Sequence, residues 1–420
     1  QPLSGSATSY SFSAYQQLSQ SARFTAGFET AWRIMRDAWY DDNFGNHNWD
    51  QVRRKYLPAA RSAGNTAELT HVISLMLGEL NGSHLGFRAA GSPSSSNEEW
   101  RPETGHLGVR FNTAHKGPGL KIREVIPNGP ADDSDSLLQI GETILSIDGT
   151  DVDPDIDLTT VLTGRPGRDV VLRVKAAGKK GAERQVTIRP VSYGSIRGLL
   201  YRKWQDDNRR LVAKQAGHIG YLHIQGMNWP SFLDFERELY DVGYGKDGLI
   251  IDVRDNGGGF TTDHLLTALT QPQHAITVPR GGGPGYPQSR MVYATWNKPI
   301  VVLCNQNSYS NAEIFSHAIK NLGRGKLVGV PTAGGVISTG AASVMDLGTI
   351  RLPFRGWFVK GTGEDMELNG AVPDVIIWPQ PTELPRGKDR QLMKAIQVLA
   401  KDIKEWKAQK RPALRKATER

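Results

Sequence analysis

A serine stands where a strand gives way to a helix. The apolar run Ile300-Val301-Val302-Leu303 reads as a buried strand, and the turn Asn307-Ser308-Tyr309-Ser310-Asn311-Ala312-Glu313 leads into a helical pattern from Ile314 to Leu322. Such a turn lifts the Ser310 hydroxyl out of the sheet, beside helix N–H groups that lack internal partners, which is what an acyl-transfer nucleophile needs. The same residues also suit a plain helix cap. Upstream, Leu249-Ile250-Ile251 reads as a second buried strand, followed by Asp252-Val253-Arg254-Asp255-Asn256, the run Gly257-Gly258-Gly259 and a helix from Thr262. Successive glycines let the backbone approach a ligand and turn its amides inward, as an oxyanion hole demands. A phosphate loop would continue with Gly-Lys-Ser/Thr; Phe260 and Thr261 follow instead, which argues against nucleotide binding. For a base, one of the ten histidines stands out: His84, in Leu80-Asn81-Gly82-Ser83-His84-Leu85-Gly86-Phe87, where the amphipathic run from Ala67 to Leu80 breaks into a turn. An imidazole with an ordinary pKa of about 6.5 accepts a proton near neutrality. His218, His223, His264 and His317 read as structural.

Taken together, these residues resemble the serine peptidases that include the C-terminal processing proteases and, more closely, the catalytic half of the tricorn branch. The resemblance spans roughly residues 24 to 380. The processing branch uses a lysine base in a Gly-x-x-Thr-x-Gly-Lys context. Here Gly329-Val330-Pro331-Thr332-Ala333-Gly334-Gly335 ends in glycine, with no lysine between Lys326 and Lys360. The tricorn branch uses serine, histidine, glutamate and a second serine. Its Ser-His pair is matched by Ser83-His84, and its Glu-x-x-Gly-x-x-Pro-Asp stretch by Glu367 in Glu367-Leu368-Asn369-Gly370-Ala371-Val372-Pro373-Asp374. The resemblance implies Ser310 as nucleophile, His84 as base, Glu367 acting through Ser83 to orient the imidazole, and an oxyanion site between the Asn311 amide and a glycine of 257–259, Gly258 first among them. Asn311 replaces the branch's aspartate, which a backbone donor tolerates.

Between base and nucleophile, Gly105-His106-Leu107-Gly108-Val109 resembles the carboxylate-binding loop of a PDZ domain. Val125 to Ala131, Leu138 and Gly141 to Gly149 match the rest of that fold. Such a domain binds an extended chain end at a sheet edge, or else serves only as a packing module. The expected architecture is multidomain α/β. It comprises a linker (1–23), a small N-terminal helical domain with the Ser-His pair (24–100), a PDZ-like β-rich domain (101–194), a crotonase-like α/β peptidase domain (195–385) and a basic amphipathic C-terminal helix (386–420). Phe28, Trp32, Met35 and Trp39, then Leu69, Val72, Leu75 and Met76, recur at helical spacing and read as core. The stretch from Arg280 to Gly285 reads as a turn, of the kind found in lids and subunit contacts but more often at plain surfaces.

The net charge is +8, yet residues 386–420 hold twelve Lys/Arg against four Asp/Glu, so the tail carries all of it. There Leu392, Ile396, Leu399, Ile403 and Trp406 form one apolar stripe, which points to docking on the body or a neighbouring subunit rather than on nucleic acid. The lone Cys304 precludes an internal disulfide and reads as buried packing. No metal-ligand spacing, membrane span or signal peptide is visible, and the implied chemistry takes no cofactor. The chain begins with Gln rather than Met, so a missing natural N-terminus is expected, with the cytoplasm as the favoured compartment. The β-propellers that precede this half in the tricorn branch are not in the sequence, which leaves a fragment or a shorter relative as alternatives. Peptides or unfolded polypeptides are the expected substrates and a homo-oligomer the expected assembly. The alternative is a non-catalytic PDZ-containing peptide-binding protein with a decayed site.

Overall fold

A computed structural model describes residues 10–14, 17–91, 102–178, 181–281, 294–410, 413–415 and 417–419. Residues 282–285 of the glycine-rich stretch lie outside them. The first helix, α1 (Gln20–Ala38), begins inside the segment read as linker, because the Ser19 side chain accepts the Ala22 amide and caps it. It packs with α2 (Trp49–Ser62) and α3 (Thr66–Gly78), the latter two capped by Asn48 and Asn65. The short strand β1 (Gly86–Ala89) follows directly after Ser83-His84.

Next comes an antiparallel β-rich module. Its strands are β2 (Val109–Phe111), β3 (Leu120–Val125), β4 (Thr143–Ile147), β5 (Thr150–Asp151), β6 (Val170–Lys175) and β7 (Glu183–Ile188), with the short helix α4 (Thr159–Leu162) between β5 and β6. The main sheet runs in the order β2-β3-β4-β6-β7, with β5 paired to β4. Its apolar core includes Ile122, Ile144, Leu172 and Val174.

The remainder alternates helix and strand: α5 (Tyr193–Gln215), β8 (Ile219–His223), α6 (Trp229–Asp241), β9 (Gly248–Asp252), α7 (Thr262–Thr270), β10 (Ile300–Cys304), α8 (Asn311–Asn321) and β11 (Lys326–Gly329). Then come β12 (Ser338–Val344), β13 (Gly348–Arg355), β14 (Val375–Ile376) and α9 (Arg390–Ala408). Five strands form a parallel sheet in the order β14-β11-β10-β9-β8. Alternate residues feed its two faces, as a doubly covered parallel sheet requires. Leu249, Ile251, Ile300 and Val302 pack toward α6, α7 and α8. Ile250, Val301 and Leu303 pack toward α5 and α9.

The predicted apolar stripe of α9 is therefore buried on the body, with Leu392, Ile396, Leu399 and Ile403 all inside. A buried ion network pins the start of that helix. Arg254 donates to Asp252, pairs with Asp389 at 2.9 Å and reaches Gln391 at 3.1 Å. The N-terminal helices do not have a core of their own. Their cluster includes Ile337, Val344, Leu347 and Ile350 of the β12–β13 region, and β1 pairs with β13, Gly86 opposite Arg351. That pairing brings the Ser83-His84 turn up against the α/β layer.

Candidate active site

The strands of the parallel sheet end on one side, and the loops leaving the carboxyl ends of β9 and β10 carry the 257–259 glycines and Ser310, where open α/β sheets place their ligands. Ser310 lies between β10 and α8 with φ 57° and ψ −118°, a left-handed conformation that a side chain adopts only when neighbours enforce it. The enforcing group is Glu313. Its fully buried carboxylate accepts the Ser310 amide at 3.0 Å, the Thr332 hydroxyl at 2.6 Å and the Gly335 amide at 2.8 Å, together with the Gly334 amide. These charge-assisted bonds tie the serine turn to the loop after β11.

His84 has φ 60° and is 7% exposed. Its Nε2 is 3.1 Å from Ser310 Oγ and its Nδ1 2.7 Å from Ser83 Oγ. Ser83 Oγ in turn donates to Glu367 Oε2 at 2.9 Å. The proton order follows from what each group can do. A carboxylate only accepts, so the Ser83 hydroxyl donates to it and accepts from Nδ1–H, which leaves Nε2 bare toward Ser310. Glu367 is held by the Ser83 amide at 2.6 Å and the Val336 amide at 2.8 Å, and its own amide donates to Asp365 at 3.0 Å. Burial, and secondarily the Arg351 cation, pushes His84 down to about 4. The imidazole is thus neutral and able to accept a proton at pH 7.

Two features were not legible beforehand. The Tyr309 ring lies against His84 with centroids 5.0 Å apart and planes 21° apart, and its hydroxyl is 3.3 Å from Nδ1. Burial raises the Tyr309 phenol above its ordinary range. Position 335, where the processing branch has its lysine, is walled by the same ring: a Cβ there would overlap Tyr309 and lie 3.1 Å from Ser83 Cβ. The other feature is Glu313. The pattern Ser310-x-x-Glu313 is a capping-box signature that announces a local bond but not the reach to 332–335.

The glycine run also approaches closely. Gly258 has φ 90°, and a Cβ on it would fall 2.7 Å from Ser310 Cβ and 2.9 Å from the Asn311 amide nitrogen. The Gly258 amide itself donates to Asn256 Oδ1 at 2.9 Å. Among the described residues the Asn311 amide has no acceptor, while the Asn311 side chain accepts the Thr262 amide at 2.9 Å and so braces α7 against α8. His84, the glycine run, Tyr309, Ser310 and Asn311 border one cleft of about 920 Å³, lined also by Phe260, Ser338, Thr339, Arg351, Arg355 and Trp357.

The residues read as structural are engaged elsewhere. His223 contacts the Tyr201 hydroxyl at 2.7 Å and the Arg254 carbonyl at 3.0 Å, and His317 the Asn369 carbonyl at 3.1 Å. In the β-rich module the Gly105 amide donates to the Leu162 carbonyl, the His106 amide to the Val191 carbonyl, each at 2.8 Å, and the Gly108 amide to His106 Nδ1 at 2.9 Å. No helix among the described residues is long and apolar enough to cross a membrane.

A strained serine at the carboxyl end of a parallel sheet faces a neutral histidine, an arrangement of serine-peptidase type. Comparison with known proteins agrees. Residues 218–377 match the model of peptidase family S41, residues 21–78 the Tricorn protease C1 domain, and residues 105–189 the PDZ domain. The chain thus combines a stretch that matches the peptidase family S41 model with tricorn-type C1 and PDZ stretches. It is 30% identical over 410 residues to Tricorn protease homolog 1 of Streptomyces coelicolor, covering 95% of this chain and 37% of that protein. It is 26% identical over 396 residues to the Tricorn protease of Thermoplasma volcanium, covering 91% and 37%. The crystal structure of the tricorn protease superposes with a TM-score of 0.76 at 26% identity, covering 91% of this chain and 37% of that one. The chain thus spans 37% of the length of these relatives.

Proposed function

We propose that this chain hydrolyses peptide bonds by a Ser310–His84 mechanism. The supporting observation is the unbroken series of contacts from Glu367 through Ser83 and His84 to Ser310, with the proton order it dictates. Ser310 Oγ attacks the peptide carbonyl carbon while His84 Nε2 takes the hydroxyl proton. The carbonyl electron pair moves to oxygen, which faces the Asn311 amide and the glycine run. Gly258 joins as second donor by exchanging Asn256 Oδ1 for the oxyanion. Collapse expels the amine, which leaves with the proton from His84, and water repeats the sequence on the acyl-enzyme. Ser83 and Glu367 are positioning residues. They fix the imidazole and stabilise its cation as charge develops.

The substrate is an oligopeptide or an unfolded polypeptide. The cleft is open to solvent, and β12, an outer strand of the β1-β13-β12 sheet, lends it Ser338 and Thr339, an edge on which an extended chain adds as a further strand. The non-catalytic alternative finds less support, because three amides around the PDZ loop already have internal acceptors. Labelling by a serine-directed fluorophosphonate tests the proposal. The parent chain should label and hydrolyse peptides, and Ser310→Ala should do neither, with a rate loss of at least about a thousandfold. A parent chain that fails to label under conditions where it is folded would overturn it.

A further inference from the structure

The cleft holds two cations that the mechanism does not use. Arg351 and Arg355 lie on β13, on either side of a bulge in its pairing with β12, and both line the cleft with Ser310 and His84. Arg355 is held in place: its guanidinium sits 5.6 Å from the Phe354 ring centroid and 5.9 Å from that of Trp357, and its Nε donates to Ser338 Oγ at 3.4 Å. Trp357 Nε1 fixes the same hydroxyl at 2.8 Å. Among the described residues neither arginine forms an ion pair. Among the described residues Asp263 on α7 is the one carboxylate that lines the cleft, and it pairs with neither. Glu367, a buried acid in contact with Ser83, is already held by Ser83 and Val336.

An uncompensated guanidinium beside the base works against the reaction, since the transition state makes an imidazolium there. Both arginines are exposed in the cleft and so are open to an anion that arrives with the substrate. We propose that Arg351, with Arg355 beside it, receives a carboxylate of the bound peptide, so that the cleft selects chains bearing an acidic group close to the scissile bond. The group is either an Asp or Glu side chain or the terminal carboxylate of a short peptide; both present the same planar pair of oxygens to a guanidinium fork. Its arrival neutralises Arg351 and relieves the penalty on the imidazolium, so the ion pair lowers the barrier as well as the dissociation constant. This inference rests on the peptidase reading for its catalytic part; its binding part stands without it.

The test uses four matched, N-terminally labelled peptides, with Glu or Gln at one interior position and a free or amidated C-terminus. Their binding to the full chain carrying Ser310→Ala is followed by fluorescence anisotropy. Peptides with a carboxylate should bind about tenfold or more tighter than the neutral peptide at low salt, with the difference shrinking as salt rises. The Glu/Gln arm identifies a side-chain carboxylate, and the free/amidated arm a terminal one. Adding Arg351→Gln should reduce the preference below about threefold, and Arg351→Lys, which keeps the charge, should restore part of it. Equal binding of all four peptides, or an Arg351→Gln chain that loses all four alike, overturns the proposal. Turnover separates it from the peptidase reading. Hydrolysis without carboxylate preference removes this inference alone, and a chain that prefers carboxylates but neither labels nor hydrolyses removes only the peptidase reading.

Discussion

Two buried carboxylates lie beneath the cleft, and they do different work. Glu367 contacts Ser83, which contacts His84; in the proposed mechanism its charge steadies the imidazolium. Glu313 contacts no part of that relay. It gathers four donors from the serine turn and the loop after β11, among them the Ser310 amide, and so maintains the positive φ that presents the hydroxyl. In the proposed mechanism Glu367 acts on a proton as well as holding backbone, whereas Glu313 only holds the serine turn and the loop after β11. Equal burial and equal residue type therefore carry no information about role; the identity of the donors does.

Replacing each acid by its amide should separate the two roles. Glu313→Gln has the larger effect: one oxygen cannot serve four donors, and the amide group turns N–H toward N–H in a dry site. A stability loss of about 3 kcal/mol is expected, read as a lower denaturation midpoint, with fluorophosphonate labelling lost because the turn relaxes. An unchanged midpoint would mean that the turn needs no such clamp. Glu367→Gln keeps size and most hydrogen bonds but removes the charge facing the imidazolium. Here kcat should fall by about a hundredfold with KM little changed, and the midpoint should move less than for Glu313→Gln. Glu364→Gln, a nearby exposed acid, is the control; equal small effects at Glu364 and Glu367 would sink the relay.

The relay also has a signature in pH. His84 must be neutral to act, and burial with the Arg351 cation has pushed it down to about 4, so kcat/KM should hold as pH falls through about 6.5 and decline only near about 4. The sign for stability is the same. Because the folded pKa lies below the unfolded one, the unfolded chain takes up the proton first, and the contribution of His84 is undiminished above about 6.5 and lost progressively toward about 4. An acid limb at about 6.5 would show that the imidazole is solvated during turnover.

Much of this arrangement was readable in the chain. The apolar runs before Ser310 and Gly257 announced buried strands, and both end where loops carry chemistry, because a strand covered on two faces has to be apolar throughout. The stripe of α9 told that it docks, and the sheet face it covers explains why. Contacts between distant segments were a different matter. Ser310 and His84 are 226 residues apart and Ser83 and Glu367 284, so no periodicity joins them, and only the resemblance to a family paired them in advance. Glu313 showed its local half, the capping box, and concealed its tertiary half. The amide of Gly258, expected as an oxyanion donor, is bonded to Asn256, since an Asn two residues before a glycine readily closes a turn on it. The N-terminal helices read as a unit, yet their core closes only with Ile337, Val344, Leu347 and Ile350, residues whose strand alternation gave no hint of which partner they face.

Tyr309 gives the smallest expected effect and the finest discrimination. Its ring holds His84 by stacking, whereas its hydroxyl, 3.3 Å from Nδ1, is a second and poorer neighbour of the nitrogen that Ser83 already serves at 2.7 Å. A long contact shared with a shorter one adds little. Tyr309→Phe keeps the ring and removes only the hydroxyl, so kcat should fall by no more than about threefold, while Ser83→Ala, which breaks the path to Glu367, should cost far more. A Tyr309→Phe loss as large as that of Ser83→Ala would transfer the orienting role from the serine–glutamate pair to the phenol. Glu367 would then belong with Glu313, as an acid that holds backbone and nothing else.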